Sequence, residues 1–509
     1  MMSEPADLLV IGGGVNGTGI ARDAAGRGLS VILAERGDLA GATSSAATKL
    51  IHGGLRYLEH YEFRLVREAL GERETLMRMA PHIIWPLRFV LPHHPGLRPA
   101  WMIRIGLFLY DYLAGRQTLP GSVGLDFTGN DPRGTPLKPE FKRGFEYSDC
   151  WVDDARLVVL NAMDARRLGA QIFTRTAVTA ARRDGGLWHV TLTDQVSGTS
   201  REVTARGIVN AGGPWVRETL TGAFGQTPKN SVRLIKGSHI VTRRLFDGDH
   251  CYIFQNADNR IIFAIPYQHD FTLIGTTDIQ LDRLDGPPRI SEEETDYLLS
   301  AASEYFRQPV TRDAIVWSYA GVRPLYDDGD NDPSAITRDY VLDLDAGSPQ
   351  KQEAPLLSVY GGKLTTYRRL SEHAMQKIAP FYPQLGKPWS GGTPLPGGDL
   401  GGKSFATFVA DLQQRHPQLD PAWLARLARR HGVAVAEILG DAKTTADLGE
   451  AFGGGLYARE VDYLMRREWA READDVLWRR TKCGLWASAA DRERLSNWMA
   501  HHKPNEDSV

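Results

Sequence analysis

Asp7 to Val10 is a short run, apolar after its first residue and long enough for one buried strand. Ile11-Gly12-Gly13-Gly14-Val15-Asn16-Gly17-Thr18-Gly19 follows it without a break. From Ile20 to Gly28 small and apolar residues recur as on a helix, and Leu29 to Ala34 is a second strand-length run that ends on Glu35. The pattern predicts a strand–glycine turn–helix–strand unit. Two distant segments repeat its first half. Arg206 to Trp215 is an apolar strand entering Gly212-Gly213, and Leu356 to Arg368 is a strand, the pair Gly361-Gly362, and a helix running on to Ala379. Ala170 to Phe173 and Ala177 to Ala181 read as strands, and Trp188 to Leu192 alternates like a half-buried one. One dinucleotide domain assembled from separate pieces is therefore expected.

The texture changes between and after these pieces. Residues 230–345 carry short alternating runs such as His239 to Val241, Ile261 to Ile265 and Phe271 to Ile274, divided by turn residues, which predicts an antiparallel sheet. Beyond Pro394 to Gly398, the stretches Phe405 to Arg429 and Glu460 to Trp498 read as helices. Ala100 to Leu113 is the longest apolar helical run. It is too short to span a bilayer and carries Arg104 and Asp111. It reads first as a buried amphipathic helix. The competing reading is an interfacial helix with an aromatic face and Arg98 and Arg104 near headgroups.

The glycines have chemical reasons. Gly12 turns the chain sharply out of its strand, Gly14 lets backbone approach a pyrophosphate, and Gly17 lets helix and strand pack closely. The helix start then offers free N–H groups and partial positive charge to the phosphates. Glu35, about 20 residues on, is placed to accept bonds from ribose hydroxyls and disfavours a 2′-phosphate. The fingerprint alone leaves FAD and NAD both open.

Composition narrows the class. A chain of 509 residues predicts two or three domains. Apolar content of 42% and charged content of 24% fit a globular protein, and a net charge of −2 supplies no drive toward nucleic acid. Cys150, Cys251 and Cys483 are too widely spaced for a disulfide framework or zinc knuckle and fit a reducing compartment. The first strand starts a few residues after Met1, so no signal peptide is expected. His93-His94 and His501-His502 lack metal-ligand spacing, and no metal is expected.

The stretch Ile11 to Gly28 resembles the signature of FAD-dependent glycerol-3-phosphate dehydrogenases of the bacterial aerobic type. So do Thr43 to Leu58, Ile235 to His239, Gly321 to Leu325, Ile336 to Tyr340 and Gly361 to Arg368, and the helical C-terminal part is similar down to about Trp498. Ser371 and Gly212 stand where the family more often has other small residues. The fold class implied is α/β: a discontinuous Rossmann-like FAD-binding domain of the glutathione-reductase or D-amino-acid-oxidase kind (1–80, 150–225 and 350–390), an antiparallel β substrate domain (81–149 and 226–349), and a C-terminal helical domain (395–509).

The implied reaction takes sn-glycerol 3-phosphate to dihydroxyacetone phosphate, with a hydride passing from carbon 2 to non-covalent FAD and electrons continuing to a membrane quinone. Such a site needs cations for a dianion and one general base. By resemblance the substrate-binding set is Arg56, Tyr57, His239, Arg323, Arg338 and Lys363, with His239, Arg323 and Lys363 catalytic. His239 is the natural base at neutral pH, and neighbouring cations are expected to depress its pKa. Arg323 or a water is the rival base, and which arginine holds phosphate stays open. The implied cofactor set is Gly12, Gly14, Val15, Asn16, Gly17, Glu35, Thr43, Ser44, Ser45, Thr48, Lys49, His52, Gly53, Gly54, Val178, Ala211, Gly212, Gly362, Lys363, Leu364 and Thr365. A homodimer, peripheral on the cytoplasmic face of the inner membrane, is also implied. The alternative is an oxidase that uses dioxygen and makes hydrogen peroxide. Amine oxidases and a non-catalytic flavin sensor are further rivals, and the number of cations argues against both.

Overall fold

The computed structural model describes residues 4–55, 58, 62–114, 118–258, 260–327, 339–347 and 353–502. The three strand–glycine pieces come together in one six-stranded sheet. Its order is Val341–Asp345, Leu356–Tyr360, Ile208–Asn210, Leu8–Ile11, Val31–Ala34 and Gln171–Phe173. All neighbours are parallel except the first pair. Leu8–Ile11, fully apolar and fully buried, lies at the centre, as a strand covered on both faces must. The ends of Leu8–Ile11, Ile208–Asn210 and Leu356–Tyr360 lie side by side, so their three glycine turns share one edge of the sheet.

Helix Val15–Gly26 returns across this sheet and is buried along nearly its whole length. It packs on helices Asp154–Arg167 and Tyr367–Ile378. Between the first two lies an ion pair of Arg22 and Asp164, 2.7 Å apart and almost solvent-free. A three-stranded antiparallel sheet, Thr176–Asp184, Leu187–Asp194 and Ser200–Ala205, covers the other side around Trp188 and Leu192.

The second large sheet is built on hairpins. Ser231–Arg243 pairs with both Phe271–Gly275 and Ile315–Asp327, and Ile84–His93 pairs with Arg143–Val152. Cys251–Gln255 joins these halves through a parallel pairing with Ile84–His93. The short strand Leu50–Ile51 also belongs to this sheet, against Cys150 and Trp151. The chain therefore crosses from one sheet to the other between Glu35 and Leu50, and the site lies along that crossing.

The C-terminal unit has its own core of Leu424, Leu427, Phe452, Leu464 and Leu495. Its helices are shorter than the apolar pattern predicts. Phe405 to Arg429 splits into Phe405–Arg415 and Pro421–His431. Pro417 lacks an N–H, and Asp420 with Pro421 makes a fresh N-terminus whose cap accepts from Trp423 N–H at 2.6 Å. Glu460 to Trp498 likewise divides into Ala458–Glu468, a single wide turn Asp475–Arg480, and Ala489–His501. Trp469, at φ 56°, ends the first of these, and Ser488 caps the last.

Helix Ala100–Tyr112 departs from its first reading as a buried helix. Only Leu107 and Tyr110 are buried. Trp101 (63% exposed), Ile105, Phe108 (58%) and Tyr112 follow one another at four, three and four residues and form an exposed stripe. Arg104 and Asp111 are tied to Ser122 beside the one narrow edge that packs the helix, and the rest of its apolar surface stays outside.

Candidate active site

A cavity of about 790 Å³ opens between the two large sheets. That is within the usual range for a small-molecule site. Its walls come from many separate places in the chain: Val15 at the first helix start, Thr43 to His52 on the crossing segment, Ile235 to His239, Asp258 and Arg260, Thr276 to Gln280, Gly321 to Leu325, Asp339, and Gly361 to Thr365.

The glycine loop fits a dinucleotide by exclusion of side chains. A Cβ on Gly17 would lie 1.9 Å from the Gly12 carbonyl oxygen, and one on Gly12, at φ 108°, would lie 2.5 Å from the Ala211 carbonyl oxygen. The loop, the first helix and the turn after Ile208–Asn210 are thus as close as backbones can come. At the helix start the Val15 N–H donates to Ser44 Oγ at 3.0 Å. Asn16 donates to the Gly361 carbonyl at 3.0 Å, which ties the first glycine turn to the third, and its Oδ1 is buried without a partner among the described residues. Glu35 accepts from the Gly13 N–H at 2.6 Å and the Gly37 N–H at 2.7 Å. Each carboxylate oxygen keeps a second acceptor site for ribose hydroxyls. Burial raises its pKa, against the pull of those two N–H groups. These features suit FAD, whose pyrophosphate needs bare backbone and whose ring needs the adjoining cavity.

His239 is the chemical centre of the far wall. It is 2% exposed, and its ring stacks on Tyr319 at 4.7 Å. Nε2 lies 3.0 Å from Thr48 Oγ1, and Nδ1 has no partner among the described residues. A Cβ on Gly275 would sit 2.1 Å from the imidazole, so that strand end must be bare. The pKa of His239 falls well below 6.5, through burial first and only then through Lys49 and Arg323. The expected cations do lower it, but as secondary causes. Withdrawal from water does most of it, and the imidazole is neutral at pH 7.

Arg323 lines the same cavity and donates through one terminal nitrogen to the Thr277 carbonyl and to Asp278. Asp278, Thr276, Gln280, Asp258 and Arg260 also line it and were not singled out in the sequence. The one legible sign was the turn-forming Gly275 to Asp278 between two apolar strands. Lys363, Leu364 and Thr365 follow the paired glycines into the cavity wall. Gly361 and Gly362 there have φ of 76° and 104°. Thr365 Oγ1 accepts from the His52 N–H at 3.2 Å.

The remaining expected residues fall into four groups. Val15, Thr43, Ser44, Thr48, His52 and Gly362 line the cavity. Gly17 lies in the first turn of helix Val15–Gly26, and Gly12, Gly14, Ser45, Lys49, Gly53, Gly54, Ala211 and Gly212 lie on the surrounding turns. Lys49 points away into a buried pair with Asp154 at 2.7 Å, and Gly53 is turned toward Tyr110 at 2.7 Å. Val178 lies on the three-stranded sheet, outside the cavity wall. Arg56, Tyr57 and Arg338 lie outside the described residues.

The glycine cradle and the adjoining substrate-side cavity define a two-sheet flavoprotein oxidoreductase. A family model described as FAD dependent oxidoreductase matches residues 7–368. One described as the C-terminal domain of alpha-glycerophosphate oxidase matches 390–502. The chain is similar to a glycerol-3-phosphate dehydrogenase of Pseudomonas aeruginosa, 54% identical over 100% of this chain and 98% of the relative. An aerobic glycerol-3-phosphate dehydrogenase of Escherichia coli is 53% identical over 98% of each. A D-erythritol 1-phosphate dehydrogenase of Brucella abortus is 50% identical over 98% and 99%. Among solved structures, the glycerol-3-phosphate dehydrogenase from Bacillus halodurans complexed with FAD matches with a TM-score of 0.76 at 26% identity, over 98% of this chain and 95% of that one. The chain belongs to the FAD-dependent glycerol-3-phosphate dehydrogenase family, and its cofactor is FAD.

Proposed function

We propose that this enzyme oxidises sn-glycerol 3-phosphate to dihydroxyacetone phosphate and passes the electrons to a membrane quinone. The observation that carries the reading is a neutral, buried imidazole facing Arg323 and Lys363 across one cavity beside the FAD cradle. Bound FAD supplies the two-electron acceptor for the hydride that leaves carbon 2. His239 takes the hydroxyl proton on a ring nitrogen, which its low pKa leaves unprotonated beforehand. Thr48 and the Tyr319 ring hold the imidazole in place. Arg323 and Lys363, with Arg56 and Arg338, supply the positive charge a phosphate dianion requires. A guanidinium is a poor proton acceptor in proteins, which favours His239 over Arg323 as the base.

The membrane half of the proposal is supported by the exposed stripe Trp101, Ile105, Phe108 and Tyr112. An aromatic-rich apolar face of this length suits the headgroup boundary. No helix among the described residues is long and apolar enough to cross a membrane. Tyr110, on the inner side of the same helix, donates to Asp149 and accepts from the Gly53 N–H, next to cavity residue His52. A quinone held at that face would therefore be close to the cofactor wall. A homodimer on the cytoplasmic face of the inner membrane belongs to the same proposal and rests on the family resemblance.

The test is stopped-flow bleaching of the oxidised-flavin band with glycerol 3-phosphate, followed by reoxidation with a quinone analogue or with dioxygen. Fast bleaching and faster reoxidation by quinone are expected. Stoichiometric peroxide without quinone reduction would assign the oxidase reaction. Because one relative acts on a four-carbon substrate, D-erythritol 1-phosphate is run in parallel, and a higher bleaching rate with it would transfer the substrate assignment.

A further inference from the structure

The stretch Trp469 to Lys482 of the C-terminal unit has no place in the chemistry above, yet it reaches the cofactor half at three points and the second large sheet at a fourth. Asp475 accepts two bonds from Arg175, at 2.8 and 3.0 Å, and the Arg175 N–H donates to the Gly37 carbonyl at 2.8 Å. Arg479 and Arg480 both grip Asp38. Arg479 Nε donates at 2.5 Å, and Arg480 donates at 2.6 and 2.8 Å to the two carboxylate oxygens. Lys482 donates to Asp153 at 3.2 Å. Trp478 stacks on Trp317 at 4.4 Å, and Trp317 lies 5.0 Å from Tyr319, the ring under His239.

Each contact ends on a segment that shapes the site. Asp38 lies in the loop whose Glu35 carboxylate and Ala40 N–H hold Gly13. Asp153 caps the helix whose next residue, Asp154, holds Lys49 at 2.7 Å and the Ala47 N–H at 3.1 Å, fixing the Thr43 to Thr48 wall. Tyr319 donates to the Ala47 carbonyl at 2.8 Å. Asp475, Trp478, Arg479, Arg480 and Lys482 do not themselves line the cavity. Buried ion pairs are a poor way to hold two units together, because desolvation cancels much of their attraction; what they impose is one geometry.

We propose that Asp475 to Lys482 is a cofactor clasp: docking of the C-terminal unit through it holds the 35–41 and 43–49 loops in their FAD-binding shape. FAD retention and C-terminal docking then stabilise each other, as linkage requires. The inference rests on those loops being the cofactor's.

Hydrogen exchange on the wild-type protein, stripped of FAD and then reloaded, tests it without a mutation. FAD is expected to slow exchange at 475–482 as well as at 12–19 and 43–49. Protection of the loops alone overturns the clasp while leaving the site standing, and protection of neither overturns both. Arg479→Gln, at a half-buried position with Arg480 kept, is the second arm. Titration of the folded apoprotein with FAD should give a dissociation constant raised roughly fivefold or more. An unchanged constant with a lowered apoprotein melting temperature would make the contact simple interdomain adhesion and overturn the proposal.

Discussion

Replacing Thr48 with valine removes one hydroxyl and keeps the branching and size of the side chain. The hydroxyl lies 3.0 Å from Nε2 of an imidazole that is only 2% exposed. Its loss leaves Nε2 without the one partner it has among the described residues, next to an Nδ1 that already lacks one. An unpaired buried polar group of this kind costs about 1–3 kcal/mol. If the bond orients the base during proton removal, that cost falls on the transition state. About 1.4 kcal/mol is tenfold in rate, so the flavin-bleaching rate with saturating glycerol 3-phosphate should fall by about 5- to 140-fold. FAD content should stay unchanged, since the hydroxyl is spent on His239. The assay is single-turnover stopped flow at several pH values, with FAD quantified by absorbance. A valine variant within twofold of wild type across the pH range would refute the view that Thr48 positions the base, and would weaken His239 as that base.

Gly17→Ala should abolish FAD binding outright, because its Cβ would sit 1.9 Å from the Gly12 carbonyl oxygen; the purified variant should be colourless, and a yellow one would contradict the packing argument. The bleaching rate should show no acidic limb near pH 6.5, since burial holds the His239 pKa well below that value, and a limb centred there would mean the base is another group. Conformational stability should fall on acidification below pH 6.5. His82 and His239 both have lowered folded-state pKa values, so the unfolded chain binds protons that the native state refuses, at about 1.4 kcal/mol per pH unit for each histidine. Glu35 and Glu72, whose values are raised, run the other way, and urea melts at pH 7.5 and 5.5 that show a net gain would contradict the sign. Trp101→Ser with Phe108→Ser should weaken sedimentation with anionic vesicles while leaving bleaching by glycerol 3-phosphate intact; equal sedimentation would place the membrane contact elsewhere.

The parts of this protein that follow from local chemistry could be read from its sequence. The glycine spacing, the buried strands and Glu35 obey backbone sterics, and those act over a few residues. The short motifs around His239, Arg323 and Lys363 were legible only through their resemblance to a known family. What the sequence left open depends on which surfaces meet. Helix Ala100–Tyr112 is apolar over most of its surface, so only the packed fold shows that a single edge is covered. The extent of the C-terminal helices turned on Pro417 and on the caps Asp420 and Ser488, which the apolar pattern alone hides. Asp278 beside Arg323, Thr48 beside His239, and Asp38 beneath Arg480 join residues from 45 to 442 positions apart. No periodicity encodes such pairs. They exist because two sheets and a helical unit dock in one orientation, and that docking is what withdraws His239 from water and so lowers its proton affinity.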